Sequence, residues 1–428
     1  MTGSVNQDAW TTVQAMLSEE GKINPWPYYA RLHELGDVFE LPDGSFFVAG
    51  YGAAIDALRS PAFGKGNGAV DRPPLAIYTE DQDSELAQIW SDASTNIVSL
   101  DPPLHTRIRN VVQRNFTPRY VRNVEAAIPR VIETLLAQID PTKPVDIIGS
   151  FSAPFAAEIM AELIGLPSDR RGEVAELIGE YLRSADPACP FDLQRAGALA
   201  ARKHRDYIRE IAADRRAAPV DDFVNVIIHD PQLAEPEKIT LMQTLYIGGY
   251  GTTAHMIGNG LVLLLKNPDQ FEKLKQDRSL LKSAVEEMLR LDGAISLSRM
   301  LSLEDTTLAG TSIPAGRYVS VLLVAANRDP EVFPDPDKFD ILREGKPHLS
   351  FAAGRHFCLG VYLARLELER AFDHLISHFP NMRLADEHPP RSPTFHQQSF
   401  EKVMVLLEPT CHGRLAPQAI LQNSPRTT

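Results

Sequence analysis

A lone cysteine, Cys358, sits between Gly354 and Gly360 in the run Phe351-Ala-Ala-Gly354-Arg355-His356-Phe357-Cys358-Leu359-Gly360. A helical pattern, Val361-Tyr-Leu-Ala-Arg365-Leu-Glu367, begins at once. Thiolate is the reactive and metal-binding form of cysteine, and the positive end of a helix favours it. Small residues on both sides let a flat cofactor approach the backbone. The array fits a thiolate held by backbone N–H groups beneath an iron porphyrin. Such a ligand pushes electron density onto the iron and favours O–O cleavage. The competing reading is an inert cysteine buried at a helix start.

A second group of residues lies in the longest helical pattern, which starts near Pro236, a favourable first-turn proline, and ends at Lys266 before Asn267-Pro268. Roughly 45 Å of helix follows from the rise per residue. Its centre reads Gly248-Gly249-Tyr250-Gly251-Thr252-Thr253. Each interior glycine costs about 0.5–1 kcal/mol relative to alanine. Close approach to a flat cofactor, with an opening for dioxygen, is one reason to keep three; tight helix packing is the other. The second half, Leu261 to Leu265, is apolar all round and must be buried. Gln243, Tyr246, His255 and Asn259 interrupt it as a membrane span.

Two charged pairs complete the set. Glu287 and Arg290 are three apart and share a helix face, as do His105 and Arg109, one turn apart. Alone, the Glu287–Arg290 pair is weak, because surface ion pairs contribute little. Its position after the glycine-rich helix and before Cys358 is what makes it informative.

The chain resembles the cytochrome P450 family from about Asn24 to Leu407. The cysteine segment is similar to the family's Phe-Gly-x-Gly-x-x-x-Cys-x-Gly, with Ala352 in place of the first glycine. The glycine-rich run resembles its distal motif, Ala/Gly-Gly-x-Asp/Glu-Thr-Thr. The resemblance implies that Cys358 is the iron ligand of one haem b (iron protoporphyrin IX) per chain and that Thr252 serves oxygen activation and proton delivery. Phe351, Gly354, Gly360 and Gly248 then frame the cofactor, while His105, Arg109, Arg299 and His356 partner its propionates. Glu287, Arg290 and Arg343 match the family's buried charge network. Gly251 stands where the family carries its acid. Ordered water with Thr252, a titrating His255 one turn on, or a substrate hydroxyl could each replace it, and a hydrogen-bonded core histidine is the simpler reading of His255. By the same analogy the substrate pocket draws on Trp90, Ile97, Val98, Tyr246, Tyr250, Ile295, Leu297 and Gln398.

The activity implied is a haem–thiolate monooxygenase that inserts one oxygen atom from O2 into a mid-sized organic substrate, by hydroxylation or epoxidation, as a natural-product tailoring step. No flavin or nicotinamide domain fits the length, so electrons come from a ferredoxin and ferredoxin reductase, meeting arginines such as Arg107 or Arg355. The missing acid at Gly251 leaves room for peroxide-driven or oxidative-coupling chemistry. A non-catalytic haem sensor is the reading from outside enzymology.

The elements that must position these residues are mainly helical, with a smaller β region: a P450-type fold with the haem between the long helix and the cysteine loop. Val38 to Val48 reads as a hairpin around Asp43-Gly44, with Pro42 placing its strand at an edge or ending it early. Thr307–Gly316 and Tyr318–Val324 read as a second β zone. Residues 1–22 read as a loose N-terminal segment, 23–410 as one domain and 411–428 as a flexible tail. A long loop spans about Phe63 to Asp101.

The net charge of −13 over 428 residues argues against nucleic acid and anionic membranes as partners. Three separated cysteines, Cys189, Cys358 and Cys411, form no disulfide framework. With no signal peptide or anchor pattern at the N-terminus, the expected location is cytoplasmic.

Overall fold

Helices dominate the described residues, with three small sheets among them, as the sequence patterns imply. The structure is a computed structural model and describes residues 7–71, 96–116, 118–184 and 191–408. Trp90, Cys189 and Cys411 lie outside the described residues, as does the tail from 409.

In chain order the first elements are α1 (Gln7–Met16), α2 (Glu19–Ile23), α3 (Trp26–Leu35), β1 (Val38–Glu40), β2 (Phe46–Val48), α4 (Tyr51–Arg59) and β3 (Phe63–Gly64). The described part of residues 1–22 is therefore not loose. Ala9, Thr12, Val13 and Met16 are buried at the spacing of one helix face, against Tyr29 and Leu32 of α3. Ser18 caps α2 by accepting from the Gly21 N–H at 3.0 Å.

The hairpin forms as the sequence implies, with Val38 opposite Val48. Asp43 accepts from the Ser45 N–H and hydroxyl, and Gly44 takes φ +76° in the turn. β1 stops before Pro42 and is the sheet edge.

Next come α5 (Leu104–Asn115), α6 (Pro118–Leu136), β4 (Val145–Asp146), α7 (Ala153–Ile164), α8 (Arg171–Ser184), α9 (Phe191–Ala217) and α10 (Phe223–His229). The long helix is α11 (Glu235–Lys266). Glu237 reaches back to accept from the Ala234 N–H at 2.8 Å, and Pro236 sits in the first turn. After α12 (Pro268–Gln276), α13 (Leu281–Leu291) carries Glu287 and Arg290.

The remaining elements are β5 (Leu297–Ser302), β6 (Thr306–Leu308), β7 (Thr311–Ile313), β8 (Tyr318–Leu322), α14 (Leu323–Ala326), α15 (Val361–His378), β9 (Arg383–Leu384) and β10 (Met404–Leu406). The largest sheet runs β1-β2-β8-β5-β3, with β2 and β8 parallel and β5 antiparallel to β8. The main apolar core lies among α5 to α15, and a second surrounds α4 and this sheet. α15 packs against α6, α11 and α13, so the helix that follows Cys358 is seated on the centre of the fold. Among the described residues no helix is long and apolar enough to cross a membrane.

Candidate active site

The cysteine loop is a tight backbone structure. The Cys358 N–H donates to the Phe351 carbonyl at 3.0 Å, and the Phe357 N–H to the Gly354 carbonyl at 3.1 Å. Gly354 takes φ +67°, and a Cβ there would strike the Leu58 carbonyl of α4, so the position demands glycine. Ala352 also takes a left-handed φ, +56°. Glycine in the family pattern suits that conformation; alanine here adopts it under strain.

Burial pushes the Cys358 thiol up, while the Gly360 N–H, Arg109 and Arg365 act in the opposite direction. Free of metal this cysteine is a thiol, and coordination to a cation would deprotonate it outright. Arg365 is held by both oxygens of Glu286, at 2.6 and 2.7 Å, and its guanidinium lies 5.1 Å from the Phe351 ring centre. This pair was not singled out in the sequence, because 79 residues separate its members and neither belongs to the Glu287 motif.

Beside the loop, the rings of His105 and His356 approach to 4.3 Å. Nε2 of each is buried with no hydrogen-bond partner. Burial pushes His105 down to about 4, helped by Arg109 and Arg355, and His356 to about 3, helped by Lys65 and His105. Arg109 donates to the Phe357 carbonyl at 2.6 Å. Arg299 is half-buried on β5, and its carbonyl accepts from Lys65 Nζ at 2.6 Å. Lys65 joins the group unannounced by any motif; Asp101 brings it there by accepting from the Lys65 N–H at 2.9 Å. Two orphaned donor-capable imidazoles amid arginines and a lysine are what a pair of carboxylates would complete.

On α11, a Cβ at Gly248 would meet open space, one at Gly249 would meet Met160, and one at Gly251 would lie 2.8 Å from Leu182 of α8. Of the three glycines, Gly248 alone opens a face, and tight packing explains the other two. Thr252, one turn on, donates to the Gly248 carbonyl at 2.6 Å. The neighbouring Thr253 donates to buried Glu367 of α15 at 2.9 Å. Burial pushes the Glu367 carboxyl up to about 8, with the Thr253 bond opposing, and its Oε1 has no partner. Burial likewise pushes His255 down to about 4, and its Nδ1 is unpartnered. That direction weighs against a near-neutral titration at His255 and fits the simpler reading of a core histidine.

The charge network assembles in full. Glu287 accepts from Arg290 at 2.7 and 2.9 Å and from Arg343 at 2.9 Å, all three largely buried. Arg290 donates onward to the Asn327 carbonyl at 2.8 Å, and the Asn327 side chain holds the Leu349 N–H and the Ser350 hydroxyl. The network thus fixes the residues that lead directly into Phe351.

Among the described residues, those expected to line the substrate pocket are not gathered at one place. Tyr246 is fully buried against His204 of α9. Tyr250 lines a cleft of about 700 Å³ with residues of α6, α7 and α8. Both sit two residues from Gly248, about 200° around the helix, so they point away from the Gly248–Thr252 face. Gln398 is buried and bonded to Arg391 at 3.3 Å, and Leu297 packs into the core near α1 and α3. Ile295 is half-buried; Ile97 is buried and Val98 exposed on a short turn beside Thr244, whose hydroxyl donates to Asn96 at 3.1 Å. Arg107 is paired with Glu237 and the Gln232 carbonyl, with its side chain 37% exposed.

The residues present fit a haem: a half-buried cysteine at a closed loop, unpartnered imidazoles beside arginine, and an open glycine on the long helix. Comparison with known proteins agrees. The family model described as "Cytochrome P450" matches residues 191–404. The chain is 30% identical over 407 residues to the biotin biosynthesis cytochrome P450 of Bacillus subtilis (strain 168), covering 93% of this chain and 100% of that one. It is 32% identical over 383 residues to the cytochrome P450 monooxygenase PikC of Streptomyces venezuelae, covering 86% and 87%. The crystal structure of P450BioI with a fatty-acyl-ligated acyl carrier protein superposes with a TM-score of 0.83 at 30% identity, over 91% of this chain and 100% of that chain. The chain belongs to the cytochrome P450 family of monooxygenases.

Proposed function

We propose that the protein binds haem b through Cys358 and inserts one oxygen atom from O2 into a mid-sized natural product, with electrons from a separate ferredoxin and its reductase. The observation that carries this reading is the closed Phe351–Cys358 loop set beside the unpartnered His105 and His356 imidazoles. When bound, the haem supplies dioxygen binding and O–O cleavage, assisted by the electron-rich thiolate.

This chain's residues supply the rest. His105, His356 and Arg109, with Arg299, receive the two propionates. Gly248 keeps the backbone of α11 low enough for a flat ring to approach. Thr252 gives its hydrogen to the Gly248 carbonyl, leaving its oxygen lone pairs to accept from water or substrate, which suits a proton relay. Phe357 and Tyr362 are exposed on either side of Cys358, where an electron donor would dock. Relatives named for biotin and polyketide biosynthesis support a tailoring role.

A second reading rests on Gly251. The acid position holds no carboxylate and faces Leu182, so protons reach Thr252 by water or substrate, or the oxidant arrives already protonated as peroxide. A spectral binding screen, followed by turnover with ferredoxin, reductase and O2 against turnover with peroxide, decides between them. Product from the ferredoxin system supports the proposal, and product from peroxide alone overturns it.

A further inference from the structure

The far end of α15 carries a group that the oxygenase reading does not use. His374 and His378 are four apart on one face, with rings 15° from parallel and centres 6.3 Å apart. Glu133 of α6 faces both. Its Oε1 lies 2.7 Å from His374 Nδ1 and its Oε2 3.2 Å from His378 Nε2. Among the described residues these form the one set of three His, Cys, Asp or Glu side chains whose ligand atoms converge, all within 4.8 Å of one another.

The hydrogen-bond roles are informative. His378 Nδ1 lies 2.9 Å from the His374 carbonyl, which can only accept, so Nδ1 carries a hydrogen. In the neutral ring, Nε2 then presents a lone pair to a carboxylate oxygen: two acceptors face each other. A cation between them resolves the clash, whether a proton or a metal ion. An imidazole that donates its other N–H to a backbone carbonyl is also the usual arrangement of a metal-ligating histidine. Among the described residues no arginine is paired with Glu133; Arg130, one turn earlier on α6, is engaged by Glu162 at 2.9 Å. The side chains of Glu133, His374 and His378 are 47%, 24% and 34% exposed, so solvent ions can reach them.

We propose that Glu133, His374 and His378 bind one divalent transition-metal ion of the zinc type, which cross-links α6 to α15. Two imidazoles and one carboxylate suit zinc, with water completing a tetrahedron at ligand distances of about 2.0–2.2 Å. Calcium and magnesium prefer oxygen ligands and are disfavoured here. The atoms now in direct contact part slightly to admit the ion, and His374 moves its ring hydrogen from Nδ1 to Nε2. The site is independent of Cys358, and its occupancy braces the helix on which the cysteine loop ends.

The test uses the haem-loaded protein, stripped with a chelator and dialysed against Zn2+, with metal counted per chain and thermal unfolding followed. The expected result is one zinc per chain, a raised unfolding midpoint, and no such shift with Ca2+ or Mg2+. His374→Ala and His378→Ala each weaken binding at least tenfold and abolish the shift, and Glu133→Gln weakens it several-fold. His378→Gln, which keeps a donor for the His374 carbonyl, separates loss of the ligand from loss of fold. A thiolate-type carbon monoxide spectrum in each variant shows the haem centre intact, so failure of the metal site and failure of the haem assignment are distinct. Undiminished zinc binding in the His374→Ala/His378→Ala double variant, or none by the parent protein at sub-millimolar zinc, overturns the proposal.

Discussion

Thr253 on the long helix donates a 2.9 Å hydrogen bond to Glu367 on the helix that follows Cys358. This bond ties the long helix to the helix that leads out of the cysteine loop, and it is made to a carboxyl pushed up to about 8 by burial. In the unfolded chain the same group titrates near its ordinary 4.5. Between those values the native state holds a proton that the unfolded state has lost, so this group's contribution to stability falls as pH rises from about 4.5 to about 8 and is flat above. Glu367→Gln removes that dependence. Denaturant unfolding from pH 5 to pH 9 checks it: the parent loses stability across the window and the variant loses less. Equal slopes would contradict the assignment of a buried, protonated Glu367.

The Glu287–Arg290–Arg343 network makes a larger prediction. Glu287→Gln leaves two buried guanidinium groups without their shared carboxylate, and loss of one partner from such a group costs about 3–5 kcal/mol. Because Arg290 holds Asn327, and Asn327 holds residues 349 and 350, the loss should loosen the cysteine loop as well. The measurement is denaturant stability together with haem retention on gel filtration; both should fall.

Ala352 predicts a gain. Left-handed backbone costs an L-residue roughly 1–2 kcal/mol, and glycine escapes most of it at an entropic cost of about 0.5–1 kcal/mol. Ala352→Gly is therefore expected to stabilise the protein by about 0.5–1 kcal/mol, read as a rise in the denaturant midpoint. Gly354→Ala should do the reverse and abolish haem incorporation, since the added methyl meets the Leu58 carbonyl.

Thr252 predicts a change in coupling rather than in stability. Thr252→Ala removes the hydroxyl bonded to the Gly248 carbonyl, and product per electron consumed should drop about tenfold or more if that hydroxyl positions the proton. Substrate binding, read by the haem spin state, should be unchanged. His255→Phe should leave coupling intact, because the imidazole is already neutral.

Much of this site was legible in the sequence because its residues lie in local runs. Gly354 to Gly360, Glu287 with Arg290, and the glycine-rich centre of α11 each carry their own spacing. In the sequence Ala352 is only a replacement for the family's first glycine; its φ of +56° shows what glycine does there. The N-terminal helices were misread because polar residues surround them, although Ala9, Val13 and Met16 hold a helical period. Tyr246 and Tyr250 were assigned to the pocket by motif position, but helix phase turns them away from it. Lys65, the Glu286–Arg365 pair and the Glu133 partner of His374 depend on contacts between distant segments, which no local pattern encodes.

The proposed chemistry requires a bond between the Cys358 sulfur and haem iron, and the carbon monoxide difference spectrum of the reduced protein reads that bond. The expected result is the red-shifted Soret band of a thiolate-ligated haem, lost in Cys358→His. An imidazole-type band in the parent protein, or no haem band at all, would contradict it.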